Sequence, residues 1–363
     1  MNPSSHPTVS EEVKTATAPT VEPAELSADR EAILALWQRN LPEGTAARYD
    51  WLYANGRARS WIARDKEHGA IGAVGLMARD VDLFGEKHLV GQPIDLNVDR
   101  RNRLGGLALR LQRSVTAEVD QGRLSLIYGM PNPQSEPVLR RVGYEVIGPV
   151  QRWARPLRSH DYLHERLPGG ALGKAASLAL DAALWLRSPE SRYRRGRKYR
   201  VEVTDCFDAR FDRLWRRAAG QYRIIGRRSA DYLTWRFHDA PGVVYRALCL
   251  GDRNDHLLAY LVYTCREGVA YVADFLHTDE CHADAVLSEF VNLMRVQRAK
   301  AIVTIFTGAQ SVVRRLRRFG FRRRPSSWKI MIHADAIRLG IPRYKLLDMG
   351  NWFLTRADID TEF

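Results

Sequence analysis

The stretch Ile94-Asp95-Leu96-Asn97-Val98-Asp99-Arg100-Arg101-Asn102-Arg103-Leu104-Gly105-Gly106-Leu107-Ala108 decides how this chain folds. Its first residues, rich in apolar and β-branched side chains, read as a strand ending at Val98. Leu104, Leu107, Ala108, Leu111, Val115 and Val119 then recur at helical spacing. Between them lies a basic turn with two glycines, so a strand runs directly into the opening of a helix. The first N–H groups of a helix lack intrahelical acceptors and the macrodipole makes that end positive. Gly105 and Gly106 remove side chains that would hold phosphate oxygens away. Arg100, Arg101 and Arg103 add charge, and the stretch suits a pyrophosphate. It lacks the Gly-Lys-Ser/Thr of a P-loop and the spaced G-x-G-x-x-G of a dinucleotide fold, which argues against a nucleotide hydrolase or a dehydrogenase.

Upstream, Trp61–Arg64, Ile71–Met77, Val81–Leu83 and Ile94–Val98 read as short strands of a meander, separated by Gly69, Gly85 and Gly91. Ser27 is expected to cap a helix through Ile33, Leu34 and Leu36, and a second short helix is expected around Tyr49–Tyr53. Residues 1–25 mix Pro3, Pro7, Pro19 and Pro23 with Ser, Thr and Glu, a composition expected to stay disordered. Downstream, Gly122 stops the helix before a strand at Leu124–Tyr128.

The same order recurs in the second half. Trp51–Tyr53 precedes a strand at Trp61 as Trp235–Phe237 precedes one at Tyr245, with the same spacing. Gln134-Ser135 precedes Gly143-Tyr144 as Gln310-Ser311 precedes Gly320-Phe321, with one residue inserted. The chain reads as a duplication: a tail at 1–25, a first domain at 26–157, a connector at 158–199, a second domain at 200–333 and a C-terminal tail at 334–363. Within the connector, Ala171–Arg187 is strongly apolar and Arg192–Arg200 strongly basic. A packed connecting helix with a solvated basic loop accounts for both; peripheral contact with a membrane surface through 171–200 is the other reading.

With 363 residues, 45% of them hydrophobic, the chain can bury two cores. No run of about 18 apolar residues occurs and no leader precedes the fold, so a cytoplasmic protein is expected. Cys206, Cys249, Cys265 and Cys281 are too scattered for a zinc or redox pair, and no metal is expected. The net charge of +14 concentrates polyanions without naming one, and the basic residues lack the interleaved aromatics of a nucleic-acid platform.

Arg103-Leu104-Gly105-Gly106-Leu107-Ala108 resembles the R/Q-x-x-G-x-G/A acyl-CoA motif of the GNAT superfamily of N-acetyltransferases, and Val98 sits where that family ends its central strand. Asn132, Ser135, Gly143 and Tyr144 fall where the family often reads N-x-x-A-x-x-x-Y-x-x-x-G-F. The resemblance covers Ser27–Leu157 well and Val201–His333 more weakly. It implies an α/β (α+β) fold of two tandem GNAT-like domains, each a mixed, mostly antiparallel sheet flanked by helices. The Trp51, Trp235-Arg236-Phe237 and Trp352 elements are similar to acetyltransferase-like proteins of polysaccharide biosynthesis. By this resemblance Leu96 and Val98 offer main-chain groups to the pantetheine arm and thioester. Arg103, Leu104, Gly105, Gly106, Leu107 and Ala108 hold the pyrophosphate, and Asn132 lies near the cofactor. The donor implied is acetyl-CoA or another acyl-CoA, and the acceptor an amine or hydroxyl of a sugar, glycan or other small polar molecule.

The resemblance fails at the family's catalytic pair. Leu139 stands where the frequent Tyr acid is found and Gln92 where some relatives carry a Glu base, leaving Asp95 as the nearest carboxylate able to act as base. Tyr144 reads as core. In the second half the segment aligned with the phosphate loop is Asp279-Glu280-Cys281-His282-Ala283-Asp284-Ala285, with no glycine and three carboxylates, so phosphate should be repelled there. The seven arginines of Arg314–Arg324 read as a solvated helix face, with binding of an anion as the other reading. Two further functions compete: a non-catalytic acyl-CoA-binding or scaffold protein, which the missing pair favours, and FemAB-like aminoacyl transfer, which the intact loop disfavours.

Overall fold

The apolar run after Ala58 folds as three long strands. In the computed structural model, which describes residues 19–41, 44–65, 69–158, 178–179, 181–183, 185–186, 188–193 and 199–359, the first half begins with β1 (Val21–Pro23) and α1 (Arg30–Asn40). Next come α2 (Ala46–Tyr49), a π-helical turn at Asp50–Ala54, β2 (Ala58–Asp65), β3 (Gly69–Leu83) and β4 (Glu86–Val98). Then follow a 3-10 turn at Arg100–Gly105, α3 (Leu107–Asp120), β5 (Leu126–Gly129), α4 (Glu136–Arg141), β6 (Glu145–Pro149) and β7 (Arg152–Pro156).

Three expectations are corrected here. Disorder does not extend to residue 25: Val21–Pro23 pair with Trp61–Ala63 at a sheet edge, where Pro23 forfeits no ladder bond the sheet needs. Asp29, not Ser27, stands at the N-cap of α1. The meander has fewer and longer strands: Ile71–Met77 and Val81–Leu83 belong to one strand, β3, and β4 runs from Glu86 straight through Gly91, which is not a break. A Cβ there would lie 2.7 Å from Leu124 and 2.9 Å from Ile127, so this glycine leaves room on β4 for side chains from its neighbours in the sheet.

In the second half are β8 (Arg200–Thr204), β9 (Ile224–Gly226), β10 (Arg246–Gly251), β11 (Leu257–Arg266), β12 (Val269–His277), β13 (Ala301–Ile305), β14 (Thr307–Gly308), β15 (Arg322–Arg324), β16 (Lys329–Ala334) and β17 (Trp352–Leu354). The helices Ala209–Ala218, Ala230–Leu233, Glu280–Val296 and Gln310–Arg318 lie among them. Two mixed, mostly antiparallel sheets result: one ordered β14-β17-β9-β3-β4-β5-β16-β6, with β2 also paired to β3 and β1 to β2, the other β15-β7-β13-β12-β11-β10-β8.

The halves exchange a strand. β7, at the end of the first half, lies between β13 and β15 of the second sheet, and β16 of the second half lies between β5 and β6 of the first. The repeated Trp motif marks their junction. Trp51 and Trp235, each in a π-helical turn, stack at 4.8 Å and 15°, and each indole N–H donates to the other's carbonyl, at 2.8 and 3.0 Å. The C-terminal segment adds a second clasp. Asp358, fully buried, accepts from Arg79 of β3 at 2.9 Å and from Arg228 at 2.5 Å. Asp274 of β12 accepts from Arg228 at 3.3 Å, Thr355 at 2.7 Å and Tyr260 at 2.6 Å.

The apolar connector at 171–187, and with it the membrane-surface reading, falls largely outside the described residues; 178–179, 181–183 and 185–186 are helical, and Leu178, Trp185 and Leu186 are exposed. Among the described residues no helix is long and apolar enough to cross a membrane.

Candidate functional site

The central strand is bent where its sequence turns polar. In the β3–β4 ladder Ala73 pairs with Asn97 but Gly75 pairs with Ile94, so Asp95 and Leu96 together oppose Val74. Asp95 takes the left-handed conformation, φ +52°, as the first residue of a G1-type bulge does. β4 meets β5 only at Val90–Leu126 and Gly91–Ile127. Beyond that point the strands diverge around a cleft of about 170 Å³ whose lining includes Pro93, Asp95, Leu96, Gln112, Asn132 and Trp328.

Asp95 faces this cleft. Its Oδ1 accepts from Arg48 at 2.9 Å and its Oδ2 from the Tyr53 hydroxyl at 3.2 Å. Both side chains of the ion pair are mostly buried, at 13% exposure for Arg48 and 5% for Asp95. Burial, reinforced by the adjacent Asp95 carboxylate, raises the Tyr53 pKa well above the ordinary value, which keeps the phenol a donor. A Cβ on Gly75 would lie 2.2 Å from the Tyr53 oxygen, so this glycine makes room for the hydroxyl.

At the end of β4, Asp99 caps the 3-10 turn, accepting from the Arg101 N–H at 3.4 Å, and the Arg103 guanidinium donates to the Val98 carbonyl at 3.2 Å. Arg103 therefore pins the loop to the strand. The helix expected to run from Leu104 begins at Leu107, because Gly106 at φ +69° ends the 3-10 turn and resets the chain direction. No side chain caps α3 at Gly106. A Cβ at either Gly105 or Gly106 would meet no atom within 4 Å, and Gly105 lacks a positive φ, so nothing in the protein itself demands glycine at 105. Leu104 projects fully into solvent, whereas Leu107 is buried against the sheet and Ala108 is half-buried.

Asn132 and Leu96 line the cleft; Val98 is buried beneath it in the core between sheet and α3. The Asn132 Oδ1 is taken up by the N–H groups of Gln134 and Ser135, at 3.0 and 2.9 Å, so its side chain shapes the turn into α4. Leu139 also lines the cleft and offers no proton. Tyr144 is buried in the core, and desolvation raises its pKa. Three cleft residues that the sequence reading did not single out are Arg48, Gln112 and Trp328. Arg48 had a signal, a charge beside the aromatic run Tyr49–Tyr53. Trp328 had none, since only the exchanged strand brings it there.

The corresponding place in the second half is narrower. β12 pairs with β13 from Val269–Ala301 to Val272–Thr304 and runs on to His277, and the space beside Val272, Phe275 and Thr304 is an apolar one of about 30 Å³. At the following helix, the Asp279 carboxylate accepts from the N–H groups of Cys281 and His282 at 2.9 and 3.0 Å, filling the position an anion would take. Asp279, Cys281 and His282 form the one cluster of three possible metal-ligand side chains among the described residues. Helix capping and the His282–Asp279 pair, at 2.8 Å, account for its geometry.

No family model and no curated protein sequence matches the chain. Solved structures do. A conserved protein of unknown function from Enterococcus faecalis V583, described as a probable N-acyltransferase, is similar at TM-score 0.64 and 13% identity over 88% of this chain and 73% of its own. A GCN5-related N-acetyltransferase from Anabaena variabilis is similar at TM-score 0.62 and 13% identity, over 87% and 73%. Saccharomyces cerevisiae N-myristoyltransferase with bound myristoyl-CoA is similar at TM-score 0.51 and 10% identity, over 90% and 81%. At such identities the likeness is one of fold, and the fold is that of the GCN5-related N-acetyltransferases.

Proposed function

We propose that the chain is an acyl-CoA-dependent acyltransferase of tandem-GNAT architecture with a single cofactor site, in its first half. One observation carries this reading: the uncapped start of α3 beside the β4–β5 cleft of about 170 Å³, set against the Asp279-capped helix and the apolar space of about 30 Å³ in the second half. The residues fit acyl-CoA. Gly105 and Gly106 leave a space that any side chain would fill, and the exposed Arg100, Arg101 and Arg103 surround it. The N–H groups of Leu107 and Ala108 would hold the pyrophosphate, with Arg103 and Leu104 shaping the turn. Leu96 and Val98 lie on the stretch of β4 beyond its ladder with β5, where main-chain groups would receive the pantetheine arm.

When bound, acyl-CoA supplies a thioester whose acyl carbon is open to an amine or hydroxyl. The cleft orients the acceptor and excludes water, which converts an encounter into a positioned reaction. Main-chain N–H groups of β4 near the bulge stabilise charge developing on a carbonyl oxygen. Asp95 takes the acceptor's proton: Arg48 and Tyr53 occupy one site on each oxygen, and each oxygen retains a further lone pair. The acyl group is acetyl and the acceptor a sugar or other small polar molecule, in a setting such as polysaccharide biosynthesis.

A second reading, a non-catalytic acyl-CoA-binding or scaffold protein, is favoured by Leu139 at the acid position and by the engagement of both Asp95 oxygens. Calorimetric titration with acetyl-CoA, wild type against Gly106→Glu, followed by a thiol-release screen over amino sugars and glycan precursors, separates the two. The enzyme reading expects binding abolished by Gly106→Glu together with thiol release. Absence of binding by the wild type would end both readings.

A further inference from the structure

We infer that Gln112 is a cofactor-contacting residue that reads the upper pantetheine arm of CoA, an inference resting on the acyl-CoA reading above. Gln112 lies on α3, is 1% exposed, and lines the cleft between β4 and β5. Its Oε1 has no hydrogen-bond partner. Of the other buried side chains of α3, Leu107, Leu111, Val115 and Val119 are apolar, the hydroxyl of Thr116 is turned back to the Arg113 carbonyl at 3.2 Å, and Glu118 is paired with Arg59 and Arg123. An amide buried without a partner destabilises the protein that carries it, and a polar group delivered into the cleft removes the penalty.

Position identifies that group. Gln112 is four residues beyond Ala108, roughly 6 Å along the helix axis from the expected pyrophosphate site at 1.5 Å per residue. The part of CoA that follows its pyrophosphate is the pantoyl hydroxyl and the first amide, which offer both donors and an acceptor. A carboxamide answers either, and an apolar side chain answers neither.

The test is calorimetry with CoA and with adenosine 3′,5′-bisphosphate, which keeps the nucleotide end and lacks the arm, on wild type, Gln112→Met and Gln112→Leu. Both variants should bind CoA about tenfold more weakly, about 1.4 kcal/mol, bind the bisphosphate as wild type does, and melt no lower than wild type. CoA affinity equal to wild type overturns the inference and leaves the acyl-CoA reading standing. Equal weakening of both ligands, a lowered melting temperature, or failure of both variants to fold also overturns it, by marking Gln112 as a structural residue. A wild type that binds neither ligand removes the acyl-CoA reading and this inference with it.

Discussion

Gly105 offers the sharpest test of the cofactor loop, because folding and binding respond to it in opposite directions. In Gly105→Ala the new Cβ meets no protein atom within 4 Å and the backbone conformation is one that alanine adopts. Restricting the unfolded chain should then stabilise the fold by about 0.4–1 kcal/mol. Under the proposed function the same methyl stands where a phosphate oxygen would close on a backbone N–H. Losing one hydrogen bond to a charged group costs about 1.5–3 kcal/mol, which raises Kd about 10- to 150-fold. Gly106→Ala should behave differently: at φ +69° alanine pays about 1–2 kcal/mol in strain, so stability and binding fall together. Urea denaturation and calorimetry with acetyl-CoA read both quantities on the same samples. A Gly105→Ala protein that binds acetyl-CoA as wild type does, or that loses stability, would refute the placement of phosphate over this glycine.

Three further outcomes are expected. Asp358→Asn leaves the buried Arg79 without a carboxylate and Arg228 with only Asp274, and should cost about 3–5 kcal/mol in urea denaturation; a loss under about 1 kcal/mol would mean the clasp is relaxed. Asp95→Asn should keep acetyl-CoA affinity and lower thiol release about hundredfold or more once an acceptor is found, and unchanged release would remove Asp95 as base. Burial, helped by the Arg315 charge, depresses the His277 pKa to about 4. The unfolded chain, titrating near 6.5, therefore binds more protons in this window. Stability is full above about pH 6.5 and falls as pH drops toward about 4, by up to about 3 kcal/mol. His277→Gln should flatten that slope in denaturation curves taken across pH 4–7.

The local parts of the fold were legible because local chemistry determines them. A β-branched run ending at Val98, two glycines and a helical apolar period specify strand, turn and helix without help from the rest of the chain. Legibility failed where the third dimension decides. Gly91 reads as punctuation in one dimension and is a packing contact in three. The bulge at Asp95 follows from a register shift against β3, which periodicity on β4 alone does not reveal. The partners of Asp95, Arg48 and Tyr53, lie over forty residues away and arrive through α2 and its π-helical turn. The cap at Asp279 was half visible: the carboxylates announced that phosphate would be repelled, but not that one of them takes the anion's place.

The strand exchange explains why a half with a narrower cleft is still needed beside the open one. A five-residue strand such as β7 carries too little pattern to choose between two similar sheets, and its choice of the second sheet leaves a gap between β5 and β6 in the first. β16 fills that gap, and the chain leading into it brings Trp328 to the cleft while the adjacent Lys329 pairs with Glu136 of α4 at 2.7 Å. The open cleft therefore takes one wall from the other half of the molecule. Narrowing the second cleft leaves this contribution untouched, because the wall depends on the path of β16 and not on the splay of β12 and β13. The second half is thus required by the first cleft whatever its own space between β12 and β13 holds.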